Sequence, residues 1–148
     1  MSGTVSTILQ RKGSTVETVG RDMTLERVAQ RLAALDIGAV VVVDDTGRPV
    51  GLCSERDVVR ALADGGAAAL RTTVDAMVGA QVAVCAASTD PEQVMATMTE
   101  QRVRHVPVVD EHGSLVGIVS IGDLVKWRID ELDAERAHLT AYVSGSTY

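Results

Sequence analysis

The chain has 148 residues, a hydrophobic fraction of 46% and a formal net charge of −6. That acidic balance, with no RNP-like or helix-turn-helix pattern, argues against a general nucleic-acid binder, whose affinity rests on neutralised phosphates. The longest uncharged apolar run, Ile37–Val43, falls far short of the ~18 residues that span a bilayer, and the N-terminus lacks a basic stretch, so a cytoplasmic protein without membrane contact is expected.

In chain order, the apolar stretch Val5–Leu9 comes first and resembles Val74–Val78. Each is expected to cross the seam between two halves as a linker turn or short helix. A strand follows at Val16–Val19. Thr24 is placed to N-cap a helix running to about Asp36, with Leu25, Val28, Ala29 and Leu32 on one apolar face. Gly38 ends that helix and opens a hairpin in which Pro49 starts the second strand. A helix over Glu55–Asp64 is then stopped by Gly65-Gly66.

The second half repeats the order: a strand at Val82–Cys85, a helix opened by Asp90-Pro91 with Val94, Met95 and Met98 as its face, and a hairpin. The hairpin pairs Val106–Asp110 with Leu115–Ser120 around a Glu111-His112-Gly113-Ser114 turn, and Pro107 falls near a strand edge, where a missing N–H is tolerated. The last helix runs from Gly122 to about Val143. Its apolar stripe of Val125, Ile129, Leu132, Leu139 and Val143 calls for a partner helix; folding back on its own domain is the alternative.

The two halves are copies. A shift of 66 positions carries Gly38–Asp57 onto Arg104–Asp123 without a gap, and nine of those twenty positions are identical, where about one or two would match by chance. A unit of that size buries only about 60% of its chain surface, so two copies packed face to face are the expected route to a stable core. Phe is absent and Trp127, Tyr142 and Tyr148 are the aromatic residues, so an aliphatic core is expected. Cys53 aligns with Val119 and Cys85 with Val19, which makes both cysteines packed thiols rather than redox or metal groups. His105, His112 and His138 show no metal-ligand spacing with either.

Both copies close on Gly-h-h-Ser-x-x-Asp, as Gly51–Asp57 and Gly117–Asp123. With the strand, helix, strand, strand, helix order, this resembles the tandem CBS-domain pair, or Bateman module; Lys12-Gly13, Ile37-Gly-Ala and Ser54–Asp57 look more narrowly like proteins that consist of such a pair and little else. The resemblance covers about residues 5–130. It implies an α/β (α+β) fold of two β-α-β-β-α repeats about a pseudo-two-fold axis, with an extended C-terminal helix. The boundaries expected are 5–66 for the first repeat, 67–80 for a linker, 81–130 for the second repeat and 131–148 for the helix extension and tail.

By resemblance the module binds an adenosyl ligand such as AMP, ADP, ATP, S-adenosylmethionine or NAD(H) as a regulatory effector, with no cofactor required. Asp57 and Asp123 would take ribose hydroxyls, Ser54 and Ser120 would donate to phosphate, and backbone near Ala39 and Val106 would read the adenine edge. Lys12, Gly38, Arg56, Arg104 and His105 complete the implied set. The chemistry is sound, since a carboxylate in the first turn of a helix accepts both hydroxyls of a ribose while the helix N-terminus favours phosphate. Taken alone, though, Ser-x-x-Asp is better read as a capping box. Arg104 and His105 align with Gly38 and Ala39, and Arg56 with Gly122, so two unequal clefts are expected.

No P-loop, Gly-x-Gly-x-x-Gly, Ser-His-Asp or Cys-His constellation is present, so no catalytic residues are assigned and an enzyme is not expected. The expected function is a sensor that acts on an unidentified protein target through its shape or a homodimer. A nucleotide-independent dimerisation scaffold is the alternative.

Overall fold

A computed structural model describes residues 3–78 and 82–145. The expected start of the second repeat at Gln81, the end of the linker at Gly79-Ala80 and the tail from Ser146 to Tyr148 lie outside the described residues. The elements are α1 (Val5–Lys12), β1 (Thr18–Val19), α2 (Leu25–Leu35), β2 (Ala39–Val43), β3 (Pro49–Ser54), α3 (Glu55–Gly65), β4 (Cys85–Ala86), α4 (Pro91–Gln101), β5 (His105–Val109), β6 (Leu115–Ser120) and α5 (Ile121–Ser144). Two 3₁₀ segments, Gly66–Arg71 and Val74–Met77, join the halves. Each half is one three-stranded sheet, β1-β2-β3 or β4-β5-β6, with the first pair parallel and the second antiparallel.

Local chemistry accounts for the element ends. Thr24 caps α2 through its hydroxyl and Asp90 caps α4 through its carboxylate, with Pro91 at the first helical position, where no N–H is needed. Both hairpins turn on an aspartate whose Oδ1 accepts two backbone N–H groups: Asp44 from Thr46 and Arg48, Asp110 from His112 and Ser114. Gly47 and Gly113 then sit at φ of 84° and 82°, a region that β-carbons disfavour.

The expected strands at Val16–Val19 and Val82–Cys85 are shorter in the structure, and unequally placed. β1 pairs Thr18 with Val41, where the Val41 N–H also donates to the Glu17 carbonyl. The counterpart of Val41 is Pro107, buried in the middle strand rather than near an edge, and it has no N–H to give. β4 therefore starts one residue later, pairing Cys85 with Val108.

The cores interlock. Val5 and Ile8 of α1 are buried not with the first repeat but with Val94, Met98, Val106, Val108, Val119, Leu124 and Trp127 of the second. Val74 is buried among Val19, Leu25, Val28, Leu32, Val40, Val42, Cys53 and Val58 of the first. Backbone bonds repeat the exchange, Val5 and Ser6 donating to Thr89 and Ala87, and Val74 and Asp75 to Met23 and Arg21. The glycines shared by β3 and β6 make room for it, since a β-carbon at Gly117 would stand 2.8 Å from a Leu9 methyl and one at Gly51 would stand 3.2 Å from Val78. The cores are aliphatic as expected except for Trp127, 4% exposed in the second.

Beyond Glu131, α5 is exposed on every side as far as Ser144. Its stripe does not fold back: Val125, Ile129, Leu132, Leu139 and Val143 are 51%, 52%, 46%, 62% and 72% exposed. Among the described residues no helix is long and apolar enough to cross a membrane.

Candidate functional site

Ser54 and Ser120 end β3 and β6, and each caps the helix that follows. Ser54 Oγ accepts the Asp57 N–H at 3.3 Å, while Asp57 Oδ2 accepts the Ser54 N–H at 2.8 Å and its hydroxyl at 2.9 Å. Ser120 and Asp123 repeat the box, at 3.2 Å and 2.8 Å. Capping is thus a real role of both pairs. It uses only Oδ2 of Asp57, and Oδ1 accepts no bond among the described residues.

Asp57 opens onto a cleft of about 280 Å³ at the seam between the repeats. Gly38, Ala39, Ser54 and Arg56 line it from the first repeat, Arg104 and His105 from the second. Gly38 lies on its floor, where a β-carbon would come within 3.3 Å of the His105 imidazole and 3.2 Å of Glu55 Oε1. Two cationic lining residues, Arg60 and Arg102, were missed by the sequence reading. The signal was available: Arg60 is one helical turn beyond Arg56, and extending the 66-residue shift by two positions sets Arg102 against Asp36. Arg102 and Asp36 also share a left-handed backbone, at φ of 55° and 52°, ending α4 and α2.

The other expected residues lie elsewhere. Val106 is buried in the second core, so only its backbone could face a ligand. Ser120 lines neither pocket. Lys12 and Asp123 meet in a smaller pocket of about 100 Å³ between α1 and α5, with Ile8, Arg11, Lys126, Trp127 and Asp130.

Electrostatics separate the clefts. Arg56, Arg60, Arg102 and Arg104 form no ion pair or side-chain hydrogen bond among the described residues; all four are exposed, and Glu55 and Asp57 line the cleft beside them. The counterparts of the four arginines are Gly122, Lys126, Asp36 and Gly38. Burial, followed by the nearby Lys12 ammonium, pushes the His105 imidazole below its ordinary range, against the opposite pull of Asp123 and Glu55. Burial pushes the Cys53 thiol up to about 12 and the Cys85 thiol to about 11, and neither forms a reactive thiolate at neutral pH. Among the described residues no three His, Cys, Asp or Glu side chains are grouped to hold a metal.

Comparison with known proteins bears on the fold and the family. The CBS-domain family model matches twice, over residues 8–64 and 74–130. A CBS-domain protein from Agrobacterium tumefaciens superposes with a TM-score of 0.80 at 45% identity, over 86% of this chain and 95% of that one. Hypoxic response protein 1 of Mycobacterium tuberculosis is 32% identical over 75% of this chain and 77% of its own length. The CBS domain pair of protein MJ0100, solved with 5-methylthioadenosine and S-adenosyl-L-methionine, has the same fold, with a TM-score of 0.78 at 23% identity, over 88% of this chain and 99% of that one.

Proposed function

We propose, from the premise that this chain belongs to the CBS-domain family as a tandem pair, that it is a regulatory module which binds a phosphate-bearing adenosyl ligand in the Asp57 cleft. The observation that carries this is the set of unpaired guanidiniums of Arg56, Arg60, Arg102 and Arg104 lining one cleft of a protein whose net charge is −6. All four are exposed and outnumber the two acids of the cleft, Glu55 and Asp57, so on such a background they make a net-positive wall that would attract an anion. The ribose falls to the free Oδ1 of Asp57, the adenine edge to backbone near Ala39, and the phosphates to the arginines, where planar guanidiniums offer paired donors. Arginines favour AMP, ADP or ATP over S-adenosylmethionine, whose sulfonium is itself cationic.

His105 gives the site a second response. A phosphate in the cleft would pull that lowered imidazole back toward its protonated form, so nucleotide binding is expected to be coupled to proton uptake. The module binds nucleotide without consuming it. Occupancy would be passed on through the seam to an unidentified protein target, with the α5 face as the site of homodimer formation.

A thermal-shift screen of AMP, ADP, ATP, NAD(H) and S-adenosylmethionine tests the reading. A ligand at about 100 times its Kd stabilises by about 2.7 kcal/mol, and the phosphate-rich ligands should do so first. The second reading, a nucleotide-independent dimerisation scaffold, is favoured by the exposed α5 stripe and by capping boxes that close without ligand. It prevails if none of these ligands shifts the melting temperature at millimolar concentration.

A further inference from the structure

The two repeats carry the same carboxylate on the same helical turn, yet one of the pair already has a cation. Lys12 Nζ donates to Asp123 Oδ2 at 2.6 Å and to the Ile118 carbonyl at 2.9 Å. The two side chains are 30% and 21% exposed, so water screens the pair less than an ordinary surface ion pair. Asp57, by contrast, accepts bonds only from its own capping residue Ser54 among the described residues.

Lys12 reaches this position on a fixed support. It is the last residue of α1, which the buried Val5 and Ile8 anchor in the second core and which the backbone of Ala87 and Thr89 holds at its start. Arg11, the preceding residue, pairs with Asp130 on α5 at 3.4 Å. The ammonium is therefore placed by a packed helix, at the carboxylate where a second ribose would otherwise bind.

We infer that Lys12 is a resident counter-cation that closes the Asp123 cleft to adenosyl ligands, so that each chain binds one ligand, at Asp57, and residue 12 determines that stoichiometry. This rests on the ribose reading of Asp57. Lys12 donates to Oδ2, the capping oxygen, and Oδ1 accepts no bond among the described residues. A neutral diol approaching Asp123 therefore meets a carboxylate whose charge a fixed ammonium already offsets, and competes with that ammonium for it. It also gains no arginine cluster in return, because the residues aligned with Arg56, Arg102 and Arg104 are Gly122, Asp36 and Gly38, and only Lys126, aligned with Arg60, keeps a positive charge.

Isothermal titration with AMP and with ATP tests the inference on the full chain. The parent and Lys12→Arg should bind one equivalent, Asp57→Asn should weaken that binding at least tenfold, and Lys12→Met should reveal a second equivalent. Two equivalents in the parent, or one in Lys12→Met, overturn the assignment. A loss of the single site in Lys12→Met would also overturn it, by making Lys12 a ligand contact. If no chain binds either probe, the adenosyl reading fails instead, and the counter-cation is judged on melting temperatures. Lys12→Met and Asp123→Asn together should then cost clearly less than the sum of the two alone, and additive losses overturn the pairing.

Discussion

At the scale of single residues, Asp57 does two jobs with two oxygens. Its Oδ2 closes the α3 capping box with Ser54, and its Oδ1, on the function proposed above, takes the ribose. Glutamate serves a capping box at least as well as aspartate, so Asp57→Glu should leave the melting temperature unchanged or slightly raised. It moves the carboxylate by one methylene, however, and misplaces charge-assisted bonds worth about 1.5–3 kcal/mol each, so AMP affinity should fall tenfold or more by titration calorimetry. Equal affinities would reduce Asp57 to a cap. His105 carries a pH prediction. Because its folded pKa lies below the ordinary 6.5, the unfolded chain takes up a proton that the folded one refuses. Its contribution to stability is thus complete above that ordinary value, and is lost as pH falls through it until the folded group titrates as well. The melting temperature should drop as pH falls through the ordinary 6.5, and His105→Gln should flatten that slope; an unchanged slope would show that other groups set it.

Among elements, the controlling contact is the crossing of α1 over β6. Gly117 has no β-carbon because Leu9 occupies the space where one would be, while the matching contact of Gly51 with Val78 is looser. Overpacking a core costs about 1–3 kcal/mol, so Gly117→Ala should destabilise within that range and by more than Gly51→Ala, as read from denaturant midpoints. The reverse order would mean that α1 yields more readily than the 3₁₀ segment before Val78. The same crossing carries Lys12 to Asp123, so a helix that anchors the fold also sets a cation on one of the two matching carboxylates.

The whole molecule leaves one large surface unexplained by its own fold. Past Glu131, α5 is a solvated helix of about three turns with an apolar stripe, and a free helix of that length is marginal in water. A second copy of the same helix would cover Ile129, Leu132 and Leu139 on both sides. Light scattering should therefore return twice 15.6 kDa at micromolar concentration. The double variant Ile129→Asp, Leu132→Asp should return the monomer with little change in folding, because neither side chain is buried in the chain itself. A parent that scatters as a monomer refutes the dimer. Incubation with ATP and magnesium should leave the nucleotide intact, and turnover that tracks the protein through purification and the Asp57 variants would instead make it an enzyme.

What could be read in the sequence is local or repeated. Period-two runs around Asp44 and Asp110, caps at Thr24 and Asp90 and a gapless 66-residue shift specify hairpins, helices and two matching carboxylates, because each depends on neighbours within a few positions. The unequal chemistry of the two copies was legible too, in Arg104 and His105 against Gly38 and Ala39. The contacts these residues make were not. That Arg102 shares a cleft with Arg60, that α1 completes the second core rather than the first, and that Lys12 meets Asp123 across 111 positions are all contacts between distant segments. Hydrophobic periodicity tells a helix which of its faces is buried; only the packed chain decides against which partner, and with it which of the two matching carboxylates carries a lysine.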